Sequence, residues 1–125
     1  MVMLHEIVPG VALRLDPEVL VNHGASYNCP ESTRVRGPHH FLCLGSGAGK
    51  CRLAPLYSRP KPYRLQVSRA GRHGSNFWLN GTFHWTPSQV WTAENWMVIE
   101  AATEESSEYG ERDYLDVIYV PMLDF

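Results

Sequence analysis

At 125 residues with 44% hydrophobic content, the chain is sized for one domain spanning residues 1–125, with an ordinary core. No run of about 18 apolar residues exists to make a transmembrane helix, and Met1 to Gly10, with His5 and Glu6, lacks the pattern of a signal peptide. Three cysteines at unrelated spacings fit a reducing compartment, so a cytoplasmic protein with no membrane association is expected.

The formal charge of -2 hides a division into three zones. Residues 1–31 hold four acids and Arg14, residues 32–93 hold nine basic residues and no acid, and residues 94–125 hold nine acids and Arg112. The nine cations are Arg34, Arg36, Lys50, Arg52, Arg59, Lys61, Arg64, Arg69 and Arg72. An acid-free segment of that length reads as a face directed at an anion, or as the partner of the acidic tail within one domain.

In chain order, Val11, Leu13 and Leu15 alternate with Ala12 and Arg14, which is strand periodicity. Asp16-Pro17 closes that strand, Pro17 to Val21 can form a helical turn, and Asn22 to Pro38 reads as a long loop. His39 to Leu44 and Cys51 to Tyr57 form a hairpin around a glycine-rich connection. After the turn Arg59-Pro60-Lys61-Pro62, Tyr63 to Ser68 alternates as a half-buried strand. Asn76 to Leu79 and Thr82 to Trp85 are predicted as strands joined by an Asn80-Gly81 hairpin turn. Thr86-Pro87-Ser88-Gln89 resembles a helix start, Trp96 to Ala101 tilts toward strand, Thr103 to Asp113 is an acidic solvated segment, and Tyr114 to Met122 is a final strand. The sum is a mainly β fold, a small antiparallel SH3-like barrel with one or two short helices.

Three chemical motifs are weak. Gly45-Ser46-Gly47-Ala48-Gly49-Lys50-Cys51 is one residue short of a phosphate-binding loop, lacks its Ser or Thr, and precedes a strand rather than a helix. Cys29, His39, His40, Cys43 and Cys51 cluster in sequence, but only His40 and Cys43 are closely spaced, and a strand points them to opposite faces. Neither a metal nor another cofactor is expected. A Cys29 nucleophile paired with His39 or His40 lacks a third group to fix its geometry.

Basic residues interleaved with aromatics carry more. Guanidinium groups bind phosphates and rings stack bases, so Lys50, Arg52, Arg59, Lys61, Arg64, Arg69, Arg72, His73 and Trp85 are candidate nucleic-acid contacts, with Tyr57, Tyr63, Trp78 and His84 among them. Against that stands the ordinary role of Trp78, Trp85, Trp91 and Trp96 as core.

Three patches resemble the MazF/PemK/Kid toxin family of small SH3-like barrels acting as metal-independent endoribonucleases. Ile7-Val8-Pro9-Gly10-Val11-Ala12-Leu13 is similar to its first strand, Arg36-Gly37-Pro38-His39-His40-Phe41-Leu42-Cys43-Leu44 to its Arg-Pro plus apolar strand, and Leu53-Ala54-Pro55-Leu56-Tyr57-Ser58 to its Pro-Leu-Thr-Ser strand end. The resemblance covers residues 7–58 and departs at Gly37 and Tyr57. It implies that Arg34 or Arg36 stabilises the phosphorane or protonates the leaving oxygen and that Ser58 positions the phosphate. In an enzyme of this kind His40 or His84 is the proton carrier. Expected partners are RNA or another nucleic acid, with a homodimer as an allowed assembly. The alternatives are a non-catalytic binding module and an inhibitor, of a phage or defence-system type, that docks on a protein through its acidic last third.

Overall fold

The computed structural model describes residues 2–103 and 112–116. Its centre is a five-stranded antiparallel sheet in the order β1-β3-β4-β8-β2, built from β1 (Ala12–Leu15), β2 (Ser26–Tyr27), β3 (His39–Gly47), β4 (Lys50–Pro55) and β8 (Trp91–Glu94). The β3–β4 hairpin closes on the pair Gly47 and Lys50, and its two loop residues, Ala48 and Gly49, both have positive φ (54° and 78°). That is the backbone a tight two-residue hairpin requires, so the glycine-rich run is a turn.

Both faces of this sheet are buried, which explains why β3 and β4 read as continuous apolar runs. Phe41, Cys43 and Leu53 point to one side and pack with Trp91, with Leu20 of α1 (Pro17–Asn22) and with Met97, Val98 and Ala101 of α3 (Asn95–Ala101). Leu42, Leu44, Ala54 and Leu56 point to the other and pack with Trp78 of α2 (Asn76–Asn80) and with Phe83, Trp85 and Leu115. Helix α1 starts where Asp16 caps it, its carboxylate accepting from the Glu18 amide at 3.0 Å with Pro17 in the first turn.

Two short ribbons cover the second face. In one, β5 (Leu65–Gln66) pairs with β7 (His84–Trp85), which is joined to the end of β4 by the Tyr57–His84 bridge. In the other, β6 (Arg72–His73) pairs with β9 (Tyr114–Leu115), which is joined to the start of β1 by the Val11–Tyr114 bridge. Residues 112–116 are seated closely: a Cβ at Gly10 would collide with the Leu115 carbonyl, and one at Gly74 with the Asp113 side chain. Arg112 pairs with Glu6 at 2.7 Å, and the Trp78 indole N–H donates to the Tyr114 carbonyl at 3.0 Å.

The mainly β, antiparallel architecture agrees with the sequence reading, but the described strands form an open sheet with two ribbons and no closed barrel. Four local expectations are corrected. Asn76 to Leu79 is helical because the Ser75 hydroxyl caps the Trp78 amide, and Gly81 ends that helix at φ -72° instead of making a positive-φ hairpin turn. Trp96 to Ala101 is helical because Met97, Val98 and Ala101 fall on one buried face at helical spacing. The Tyr63 to Ser68 alternation does not face the core: Tyr63 and Leu65 are exposed and only Val67 is buried. Thr86 to Gln89 makes one turn ahead of β8 rather than a helix, with the Thr86 hydroxyl accepting from the Ser88 amide. Most of Thr103 to Asp113, and the final strand beyond Asp116, lie outside the described residues. Among those described, no helix is long and apolar enough to cross a membrane.

Candidate functional site

The second face of the sheet runs out of apolar cover at one end, and a groove begins there. Antiparallel register sets Arg14 of β1 directly opposite His40 of β3, one step beyond the buried pair Ala12 and Leu42 on the same face. The chain leaving β4 supplies Tyr57, Ser58, Arg59 and Lys61, and α2 supplies Phe77. The resulting groove, about 900 Å³, is also lined by His39, Arg64, Ser75, Phe83 and Asp113. Arg14, His39, His40, Arg59, Lys61 and Arg64 are its basic lining residues, and Asp113 is the acid among its described lining residues.

Several of these side chains are held in place. The Arg64 guanidinium lies 3.8 Å above the Tyr57 ring and donates through Nη1 to the Arg59 carbonyl at 3.0 Å, which pins the loop that carries Arg59 and Lys61. Tyr57 is fixed from beneath by the buried Gln89. Two donor-only groups, the Val35 amide and the Trp91 indole N–H, converge on Gln89 Oε1, so its Nε2 must donate to the Tyr57 hydroxyl oxygen, at 2.9 Å. Burial raises the Tyr57 hydroxyl above its ordinary value, opposed by Arg64, which keeps it protonated at neutral pH. Asp113 accepts from the Ser75 amide at 2.8 Å and the Ser75 hydroxyl at 3.2 Å, tying β9 to the start of α2.

The two histidines differ. His39 Nε2 donates to the Leu56 carbonyl at 2.7 Å, and burial draws its pKa below the ordinary value against the effect of that bond. His40 is also lowered, first by burial and then by Arg14, with Asp113 opposing. A neutral His40 ring beside cations is a proton acceptor at neutral pH.

Of the residues singled out in sequence, Ser58, His40, Arg59, Lys61 and Arg64 come together in this groove. Arg34 and Arg36 do not line it. Arg34 is 8% exposed and makes a bidentate pair with Glu18 at 2.7 and 2.8 Å. Arg36 donates to the Glu31 carbonyl at 2.9 Å on a separate surface. Lys50 and Arg52 flank the β3–β4 turn, and Arg69 donates to the Thr82 hydroxyl. Arg72 is buried, with four hydrogen bonds to backbone carbonyls, so it cannot meet a phosphate. Trp85 and His84 are buried as well, and His73 pairs with Asp116 at 2.9 Å. Sequence reasoning missed Arg14, Phe77 and Asp113. The signal for Arg14 was present, since it is the one charge within the alternating first strand.

Among the described residues, no group of three or more His, Cys, Asp or Glu side chains is placed to hold a metal ion. Burial pushes the Cys43 and Cys51 thiols up to about 11 and about 12, so neither is a thiolate at neutral pH. Comparison with known proteins gave no matching family model, curated protein or solved structure.

Proposed function

We propose that the chain binds single-stranded RNA in the groove between β3, α2 and the Tyr57–Arg64 loop, and cleaves it without a metal. The observation that carries this reading is the convergence of Arg59, Lys61 and Arg64 on a groove that also holds His40 and Ser58. Cationic side chains meet the phosphates, and the same charges stabilise the additional negative charge of a phosphorane. His40 takes the proton of a 2′-hydroxyl as that oxygen attacks phosphorus, Ser58 donates a hydrogen bond to a phosphate oxygen, and the bond to the 5′-oxygen breaks. The departing oxygen is protonated by the imidazolium so formed. The products are a 2′,3′-cyclic phosphate and a 5′-hydroxyl end.

The resemblance to the MazF/PemK/Kid toxins favours RNA over DNA and a homodimer as the assembly. It also brings the SH3-like barrel, for which the two ribbons hinged at Tyr57 and Val11 are the available closing elements. In this reading Arg34 and Arg36 shape the fold, and groove cations take over the role the resemblance implies for them. The acids Asp113 and Asp116 engage Ser75 and His73 within the domain, which favours a structural role for them over docking on a separate protein.

Incubation of the purified protein with single-stranded RNA in EDTA tests the chemistry. Cleavage that leaves cyclic phosphate ends and disappears in His40→Gln is the expected result. Intact RNA at excess wild-type protein, or equal cleavage by His40→Gln and Ser58→Ala prepared in parallel, overturns the catalytic assignment.

A further inference from the structure

Phe77 has an unusual position for its residue type. It is 57% exposed, whereas its neighbour Trp78 on the same five-residue helix is 1% exposed. Its ring is nevertheless supported on two sides. The His40 ring lies 5.0 Å away, tilted by 37°, and Phe83 meets it at 5.4 Å in an edge-on arrangement of 72°. The helix beneath is fixed by the Ser75 cap, and Arg72 donates to its Trp78 carbonyl at 2.7 Å. An aromatic ring braced in this way, and more than half open within a groove, is a flat π-surface at little further conformational cost.

The groove that holds Phe77 also holds Arg59 and Lys61, both exposed. A ligand that suits both features carries a flat ring and an anionic group on one short framework. We infer that Phe77, braced by His40 and Phe83, forms a stacking subsite for one unpaired nucleobase of an RNA strand whose phosphates meet Arg59 and Lys61. This rests on the groove reading above and deepens it: the strand must present a base out of its own stack, so a paired duplex is a poor ligand there. It also assigns a role to an aromatic outside the candidate contacts read from the sequence.

The test uses short single-stranded oligonucleotides with 2′-O-methyl sugars, which cannot be cleaved, carrying 2-aminopurine at successive positions. Wild type is expected to quench one position strongly on binding. Phe77→Tyr should keep that quenching. Phe77→Leu, which keeps an apolar side chain on the same surface, should lose it, and Phe77→Ala should lose it with about a tenfold loss of affinity. All three should retain the wild-type near-ultraviolet circular dichroism and the same dependence of affinity on salt. Position-specific quenching and affinity unchanged in Phe77→Leu and Phe77→Ala overturn the subsite, while weakened binding by Arg59→Ala/Lys61→Ala in the same series leaves the groove reading standing. Absence of oligonucleotide binding by wild type at low salt overturns both.

Discussion

Two kinds of cation occupy the same basic segment and end in opposite environments. Arg72 is 7% exposed and spends its guanidinium on the carbonyls of Ser68, Val67, Trp78 and Gly81, at 2.8, 3.1, 2.7 and 2.7 Å. Arg34 is similarly enclosed against Glu18. Arg59 and Lys61, by contrast, project from a proline-punctuated loop into the groove. The difference lies in what surrounds each charge. A buried guanidinium must have its donors met by protein oxygens, so it becomes a brace, whereas an exposed cation keeps its field for a ligand. The segment is therefore part scaffold and part exposed surface. The scaffold arginine Arg72 holds α2, which carries Phe77 into the groove that Arg59 and Lys61 also line.

That contrast can be broken most forcefully at Arg72. Arg72→Ala leaves four carbonyl groups without their donor, two of them at the end of α2, and should cost about 3 kcal/mol or more in chemical denaturation. A loss within about 0.5 kcal/mol would place Arg72 among ordinary surface residues. Arg34→Ala comes next, with about 1–2 kcal/mol expected from loss of the bidentate pair. It should also change the acid limb of stability. The Arg34 hydrogen bonds hold the Glu18 pKa below its ordinary 4.5, against desolvation. A depressed carboxylate contributes stability above its unfolded pKa and loses it as pH falls through the folded one, so this contribution should begin to fall below about pH 4.5 in wild type and be missing from Arg34→Ala. Stability profiles that run parallel from pH 7 to 3 would contradict the pairing.

Smaller stability effects are expected in the groove. Arg59→Ala/Lys61→Ala should fold within about 0.5 kcal/mol of wild type, because neither side chain is buried. The role of His40 is read from the pH profile of the wild type. Because burial and Arg14 lower the His40 pKa, its ring stays neutral as pH falls through the ordinary histidine value, and wild-type cleavage should hold from pH 8 down to about 6.5 before declining. A profile that already falls by half near pH 7 would mean that a different group takes the proton.

Much of the scaffold could be read from the sequence because its signals are local. Asp16-Pro17 announced α1, and the two apolar runs around Gly45 to Lys50 announced the β3–β4 hairpin. The short helices α2 and α3 were harder, since five and seven residues hold too few turns for periodicity to outweigh the β-preferring Trp, Phe, Val and Ile they contain. The Tyr63 to Ser68 alternation misled because period two marks a strand without saying whether either face is covered. The groove was legible only in part. Ser58, Arg59, Lys61 and Arg64 are close in sequence, but Arg14 reaches His40 through strand register, and Asp113 reaches Ser75 through the seating of the C-terminal residues against Gly10 and Gly74. The diversion of Arg34 to Glu18 has the same origin, a tertiary contact between α1 and the following loop.

The most direct test of the central claim, that exposed cations of this groove take up the phosphates of an RNA strand, is the affinity for a single-stranded oligonucleotide across a salt series. Wild type should bind with log affinity falling linearly against log salt, and Arg59→Ala/Lys61→Ala should reduce the steepness of that line by about 1.4, from about 0.7 for each lost phosphate contact. Equal slopes and equal affinities for the two proteins would contradict the account.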